Sequence, residues 1–151
     1  MASFDIKECT VLAVDDSQMI RTLLMRHLRQ AGYKKVLEAT QGQEALDLLA
    51  AHEVDLVLLD INMPVMDGYA TLERIKADER WRDVSVIMIT AVDKIESVAK
   101  CIQSGAEDYM PKLFNPILLD ARIMASLEKR FLKRRVRELE AQSANSGTAV
   151  T

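Results

Sequence analysis

An α/β fold, with a mostly parallel sheet covered by helices on both faces, is what this sequence predicts, and three observations predict it. Short apolar runs rich in Val, Ile and Leu alternate along the chain with longer segments of helical periodicity. The runs are almost continuously apolar, as strands buried on both sides must be. Five such strands and five helices follow one another in strict alternation, the pattern of a doubly wound sheet. The chain has 151 residues, 49% of them apolar, enough for one domain with its own core.

The first strand is Thr10–Val14, an apolar run that ends abruptly at Asp15-Asp16. Ile20, Leu23, Leu24, His27 and Leu28 then recur at helical spacing, with Asp16 or Ser17 as the cap and Gly32 as the stop. Lys35–Ala39 is the second strand, and Ala45, Leu46, Leu48 and Leu49 mark a helix starting near Gly42. Asp55–Leu59 is the third strand and runs into Asp60. A turn-rich loop with Pro64 and Asp67-Gly68 follows, then a helix over about Tyr69–Ala77. Val84–Ile89 is a strand ending on Thr90, followed by a helix over about Asp93–Ser104 with Gly105 as its cap. Glu107–Met110 is a short last strand ahead of Lys112. Asn115-Pro116 places a cap and a first-turn proline in the favoured order for a helix reaching about Gln142. Ser143–Thr151 is small and polar and is expected to be disordered.

Charge and composition narrow the function classes. No apolar stretch approaches the roughly 20 residues of a membrane span, and Met1–Glu8 has no secretory apolar region. Cys9 and Cys101 have no zinc or disulfide spacing, so a reducing cytoplasm is the expected compartment. The net charge of −3 is uneven: residues 129–137 hold six basic side chains and no acid, which leaves −7 on residues 1–128. An acidic body argues against nucleic-acid binding by this domain.

The unusual polar residues collect at strand ends. In a parallel sheet those ends share one edge, and ligands bind there where the strand order reverses. Asp15 and Asp16 follow the first strand, Asp60 closes the third, Thr90 closes the fourth, and Lys112 comes just after the fifth. Singly, each could be a turn or cap former; four segments with the same habit point to a site. Three adjacent carboxylates repel by roughly 4 kcal/mol per pair at an effective dielectric of about 20, so the cluster must hold a proton or a cation. Lys112 supplies one charge. Magnesium suits the remainder, since it binds through one or two carboxylates, waters and a phosphate. A carboxylate in that setting can act as a nucleophile and form an aspartyl phosphate.

The residues Val14-Asp15-Asp16-Ser17, Leu59-Asp60-Ile61-Asn62-Met63-Pro64-Val65-Met66-Asp67-Gly68, Ile89-Thr90-Ala91 and Gly105-Ala106-Glu107-Asp108-Tyr109-Met110-Pro111-Lys112 resemble, in order and spacing, the receiver domains of two-component response regulators. The single-domain chemotaxis regulators are especially similar, over about residues 8–128. The resemblance implies a flavodoxin-like sheet of order 2-1-3-4-5 with five helices, the last one extended. It implies that Asp60 is the phosphoacceptor and that Asp15, Asp16, Asp60 and the backbone carbonyl of Asn62 hold Mg2+. Lys112 would pair with the phosphoryl group, Thr90 would swing its hydroxyl onto a phosphoryl oxygen, and Tyr109 would turn inward behind it. That couples the site to the surface of the fourth helix, fifth strand and fifth helix. The implied partners are a histidine kinase or phosphotransfer protein upstream, and an effector protein or a missing output domain downstream. One position departs from the family: Leu113 stands where receivers carry a proline after a cis peptide bond. A cis bond there costs about 3 kcal/mol or more, so the bond is either trans in a rearranged loop or cis and strained.

The expected activity is self-phosphorylation and slow autodephosphorylation, not turnover. A magnesium phosphatase with an aspartyl nucleophile needs an acid two residues on, and Asn62 cannot act as one. A scaffold that keeps only the fold would not need the full set of acids, Thr90 and Lys112. His27 and His52 read as structural. The domain thus spans residues 8–128, with a helical extension over 129–142 and a tail over 143–151. In the extension, Leu132, Val136 and Leu139 are spaced four then three, and Arg134 and Glu138 stand at i,i+4. The extension suits a solvated helix, a linker, or a homodimer through the last helix.

Overall fold

In the computed structural model of this chain, residues 5–91, 95–112 and 114–150 are described, with backbone only at 95–97 and 145–150. The elements alternate as β1 Thr10–Val14, α1 Gln18–Gln30, β2 Lys35–Ala39, α2 Gly42–Ala51, β3 Leu56–Asp60, α3 Gly68–Ala77, β4 Ser85–Thr90, α4 Ile95–Gln103, β5 Asp108–Pro111 and α5 Pro116–Val150. All four strand pairings are parallel, in the order β2-β1-β3-β4-β5.

Side chains of a strand alternate between faces, so each central strand feeds two cores. Val11, Ala13, Leu56, Leu58, Ile87 and Ile89 pack against Leu24 and Leu28 of α1 and Leu119, Ile123 and Leu127 of α5. Their neighbours Leu12, Val14, Val57, Leu59, Val86 and Met88 pack on the other side against Leu46 and Leu49 of α2, Leu72 and Ile75 of α3, and Cys101 of α4. This two-sided burial is why β1, β3 and β4 lack an alternating polar pattern.

The helix ends obey local chemistry. The Ser17 hydroxyl accepts from the Ile20 N–H at the start of α1, and the Asp67 carboxylate accepts from Ala70 N–H at the start of α3. Gly32 and Gly105 follow α1 and α4 at φ of 97° and 103°, the left-handed conformation that glycine adopts without steric cost.

Three strand ends differ from the sequence reading by a residue. β3, β4 and β5 begin one residue later and end on Asp60, Thr90 and Pro111. The pairing of Asp60 with Ile89 and of Thr90 with Pro111 carries the ladder into the polar residues. A larger correction concerns α5: its backbone stays helical through Val150, beyond Gln142, where a polar disordered tail was expected. No proline lies after Pro116, and Gly147 is the one glycine in a segment that otherwise tolerates helix. The expected start of α4 at Asp93, the bond into Leu113, and Thr151 lie outside the described residues.

Candidate functional site: an acidic cluster at the sheet's switch point

The strand order reverses between β1 and β3; Asp15 directly follows β1 and Asp60 ends β3. The C-terminal edge at such a reversal is where open α/β sheets bind ligands. Asp15 and Asp60 are fully buried, whereas Asp16 is exposed at the mouth. The three can each offer an oxygen such that all lie within 4.8 Å of one another.

Lys112 closes the group from the position just after β5. Its ammonium lies 3.2 Å from Asp60 Oδ2 and 3.6 Å from Asp15 Oδ2. Its position is fixed through the backbone, because Lys112 N–H donates to the Thr90 carbonyl at 2.8 Å. The other carboxylate oxygens meet backbone donors: Ser17 N–H at 2.8 Å on Asp15 Oδ1, and Asn62 N–H at 3.2 Å on Asp60 Oδ1. Arg21 donates to the Asp15 carbonyl at 2.8 Å and holds that turn.

The electrostatics are those of a crowded acid site. Burial, then the Asp15 charge, push the Asp60 carboxyl up to about 6, against the opposing pull of Lys112 and the Asn62 N–H. Burial likewise raises Asp15. Burial acts to lower Lys112, and the Asp60 and Asp15 carboxylates outweigh it, so its pKa rises. One ammonium faces three carboxylates. Asp15 Oδ2 and Asp60 Oδ2 are buried without a hydrogen-bond donor, although the Lys112 charge is near both. Two undonated buried oxygens beside an exposed third carboxylate fit a hard divalent cation, which takes oxygen ligands and keeps waters on its open side.

The remaining residues singled out in the sequence reach the same edge to different degrees. Thr90 is buried at the end of β4, one residue beyond the partner of Asp60. Tyr109, in β5, is half-buried against the α2–α4 core. Arg122 of α5 lies over its ring at 5.4 Å and donates to its carbonyl at 2.5 Å and to Asp108 at 2.6 Å. The Asn62 side chain is exposed. His27 is remote: its Nε2 lies 2.8 Å from an Asp120 oxygen on α5, a structural pairing as expected.

Two features of the site were not read from the sequence. Gly68 is one: a Cβ there would stand 2.2 Å from the Asp60 carbonyl oxygen and 2.6 Å from Ile61 Cα, so glycine alone lets α3 close on the end of β3. The Asp-Gly pair signals a turn but not this approach. Val65 is the other, fully exposed at φ 68°, a conformation unusual for a β-branched residue.

The comparisons with known proteins agree with this geometry. The family model described as the response regulator receiver domain matches residues 11–124. A "Probable transcriptional regulator ycf27" of Cyanidium caldarium is 37% identical over 119 residues, 79% of this chain and 46% of the relative. The "DNA-binding dual master transcriptional regulator RpaA" of a Synechocystis strain is 34% identical over the same length, 79% of this chain and 49% of its own. This chain therefore spans about half the length of those curated relatives. Among solved structures, the chemotaxis protein CheY4 of Vibrio cholerae superposes with a TM-score of 0.70 at 30% identity, covering 81% of this chain and 98% of the other. With a family model matching residues 11–124 and acids grouped at the strand-order reversal, this chain belongs to the response regulator receiver domains of two-component signalling.

Proposed function

We propose that Asp60 is the phosphoacceptor of this receiver. The observation that carries the reading is a fully buried strand-end carboxylate, held beside a second buried acid and a lysine, with one oxygen that no hydrogen-bond donor occupies. Deprotonated, Asp60 attacks the phosphorus of a phosphohistidine. A P–O bond forms, the P–N bond breaks, and the departing imidazole keeps the electron pair and takes up a proton from water. Lys112 stays beside the acceptor oxygen and balances charge on the phosphoryl group.

The residues that would hold a magnesium ion are Asp15, Asp16, Asp60 and the carbonyl of Asn62. When bound, the ion supplies positive charge to the phosphoryl oxygens. Thr90 donates its hydroxyl to the new phosphoryl group and Tyr109 moves inward, which alters the α4-β5-α5 surface. Phosphorylation can shift that equilibrium only by its differential interaction with the two states. The domain is a phosphoacceptor, not a turnover enzyme, because Asn62 stands where a phosphatase of this chemistry needs an acid.

Its partners are a histidine kinase or phosphotransfer protein, and an effector protein or output domain. A second copy bound through the last helix is a further partner of this reading. We assign the domain to the cytoplasm, without membrane or nucleic-acid contact of its own. No described helix is long and apolar enough to cross a membrane.

Incubation with Mg2+ and a small phosphodonor should add one phosphoryl group by intact mass, and Asp60→Asn should add none. Equal acid-labile labelling of that variant would overturn the assignment.

A further inference from the structure

The opposite edge of the sheet, where the strands begin, carries a cleft that the acidic cluster does not use. It has a volume of about 430 Å3 and lies between the α2–β3 loop, the α3–β4 loop and Arg130 and Arg134 of α5. A second cleft of about 400 Å3 shares His52 and Glu53 with it and reaches Lys35 at the start of β2. Both volumes suit small ligands. Asp55 lines the first cleft and Asp60 ends the strand that follows, so about 16 Å of β3 separates the two sites.

Charge here is unlike that of the acidic body. Two of the lining acids are already engaged: Asp55 accepts from Arg130 and from Thr10 N–H, each at 2.8 Å, and Asp83 pairs with Arg137. Among the described residues, Arg134 and Lys35 have no carboxylate within ion-pair distance, and exposed Glu53 is the one lining acid left to oppose them. Arg130 is largely buried, yet its Nε meets no hydrogen-bond acceptor. Burial lowers its pKa; Asp55 opposes that, and the like charge of Arg134 adds to it. An anion with several acceptor oxygens answers both the orphaned N–H and the repulsion, and phosphate matches the guanidinium fork. A phosphate monoester carries about −1.5 to −2 at pH 7, close to the two uncompensated cations. Half-buried Trp81 adds an aromatic ring to the wall, with the Arg80 guanidinium over it at 4.6 Å, a surface for a flat ring. Glu53 has no use for a bare phosphate but accepts from hydroxyl groups.

We infer that this cleft binds a nucleoside monophosphate, with the phosphate on Arg130 and Arg134, the base against Trp81 and the sugar hydroxyls toward Glu53. A ligand so held ties α5 to the two loops at the start of β3 and β4. The site shares no residue with the acidic cluster and stands or falls separately from the phosphoacceptor reading.

The test is an amide NMR titration of the metal-free full chain with AMP, GMP, CMP and UMP in turn, against inorganic phosphate and the parent nucleosides. At least one nucleotide should give saturable shifts at His52, Glu53, Trp81 and Arg134, and none at Asp15 or Asp60, with a dissociation constant below about 1 mM. Inorganic phosphate and the matching nucleoside should each bind at least ~10-fold more weakly, since each fills part of the site. Arg134→Gln should weaken the nucleotide at least ~10-fold. Its exposed position leaves folding intact, which the same spectra check. No saturation by any of the four nucleotides, shifts confined to the acidic edge, or undiminished binding by Arg134→Gln would each overturn the inference. So would inorganic phosphate binding as tightly as the nucleotide, the mark of an adventitious ion only.

Discussion

Asp60 carries its charge at a cost, because burial and the neighbouring Asp15 raise its carboxyl from the ordinary 3.8 to about 6. A folded-state pKa above the unfolded one means that the fold holds the proton more tightly. Asp60's own contribution to metal-free stability is therefore greatest below the unfolded value and is lost as pH rises from 3.8 through about 6. Asp60→Asn removes the charge with little change of shape. In chelator at about pH 7 it should be more stable than the wild type by about 1–3 kcal/mol, the gap closing toward about pH 4. Urea denaturation at both pH values measures this. Val65 presents a different strain in the loop after Asp60, a β-branched residue at φ 68° with its side chain fully exposed. Val65→Asn loses no contact and suits the left-handed backbone, so it should raise stability by about 0.5–1.5 kcal/mol in the same assay. Sequence alone could nominate Asp60, since acids at strand ends are visible in the pattern. It could not reveal that Gly68 touches Asp60's backbone, because that contact depends on how α3 folds back over β3.

Among the elements, β1 and β2 were legible to the residue: β1 is a buried apolar run bounded by charge, and β2 is a short edge strand set between the Gly32 turn and the start of α2. The ends of β3, β4 and β5 were less so: pairing with a neighbour carries Asp60, Thr90 and Pro111 into the sheet despite their strand-end chemistry. The basic stretch of α5 was the least legible element. Its charges look solvated in sequence, yet Lys129, Arg130, Lys133 and Arg137 meet acids more than twenty residues away in the chain. The local pair formed by Glu138 is with Arg135, at 3.4 Å, not with Arg134 as spacing suggested. Arg134 follows Arg130 by one turn and lines the same cleft beside the body. These ion pairs are unequal. Arg130 is largely buried, and its partner Asp55 also accepts from Thr10 N–H at 2.8 Å, so Arg130→Ala strands a half-buried carboxylate at the start of β1. It should lower stability by about 1–3 kcal/mol. The more exposed Arg137 pair should give less than about 1 kcal/mol on Arg137→Ala, as surface pairs do. Thermal melts of the two variants side by side read the difference.

At the scale of the whole molecule, the parallel sheet brings four distant segments to one edge and leaves there more negative charge than one lysine balances. An ion that binds only the folded state stabilises it by mass action, so Mg2+ should raise the melting temperature in a concentration-dependent way. Asp15→Asn should blunt that response by removing a buried carboxylate from the cluster, and a scan of melting temperature against Mg2+ for both proteins checks it. The α/β class was accessible before the structure from the alternation of strands and helices, and the strand order and the family from the resemblance that the ordered motifs carry. Which carboxylate reacts is the central claim, and mapping the phosphoryl group tests it most directly. After reaction with Mg2+ and a small phosphodonor, borohydride converts an aspartyl phosphate to homoserine, which peptide mass spectrometry locates. Homoserine at position 60 alone is the predicted result. Conversion at position 15 or 16, or a borohydride-inert phosphoryl group on His27 or His52, would contradict the account.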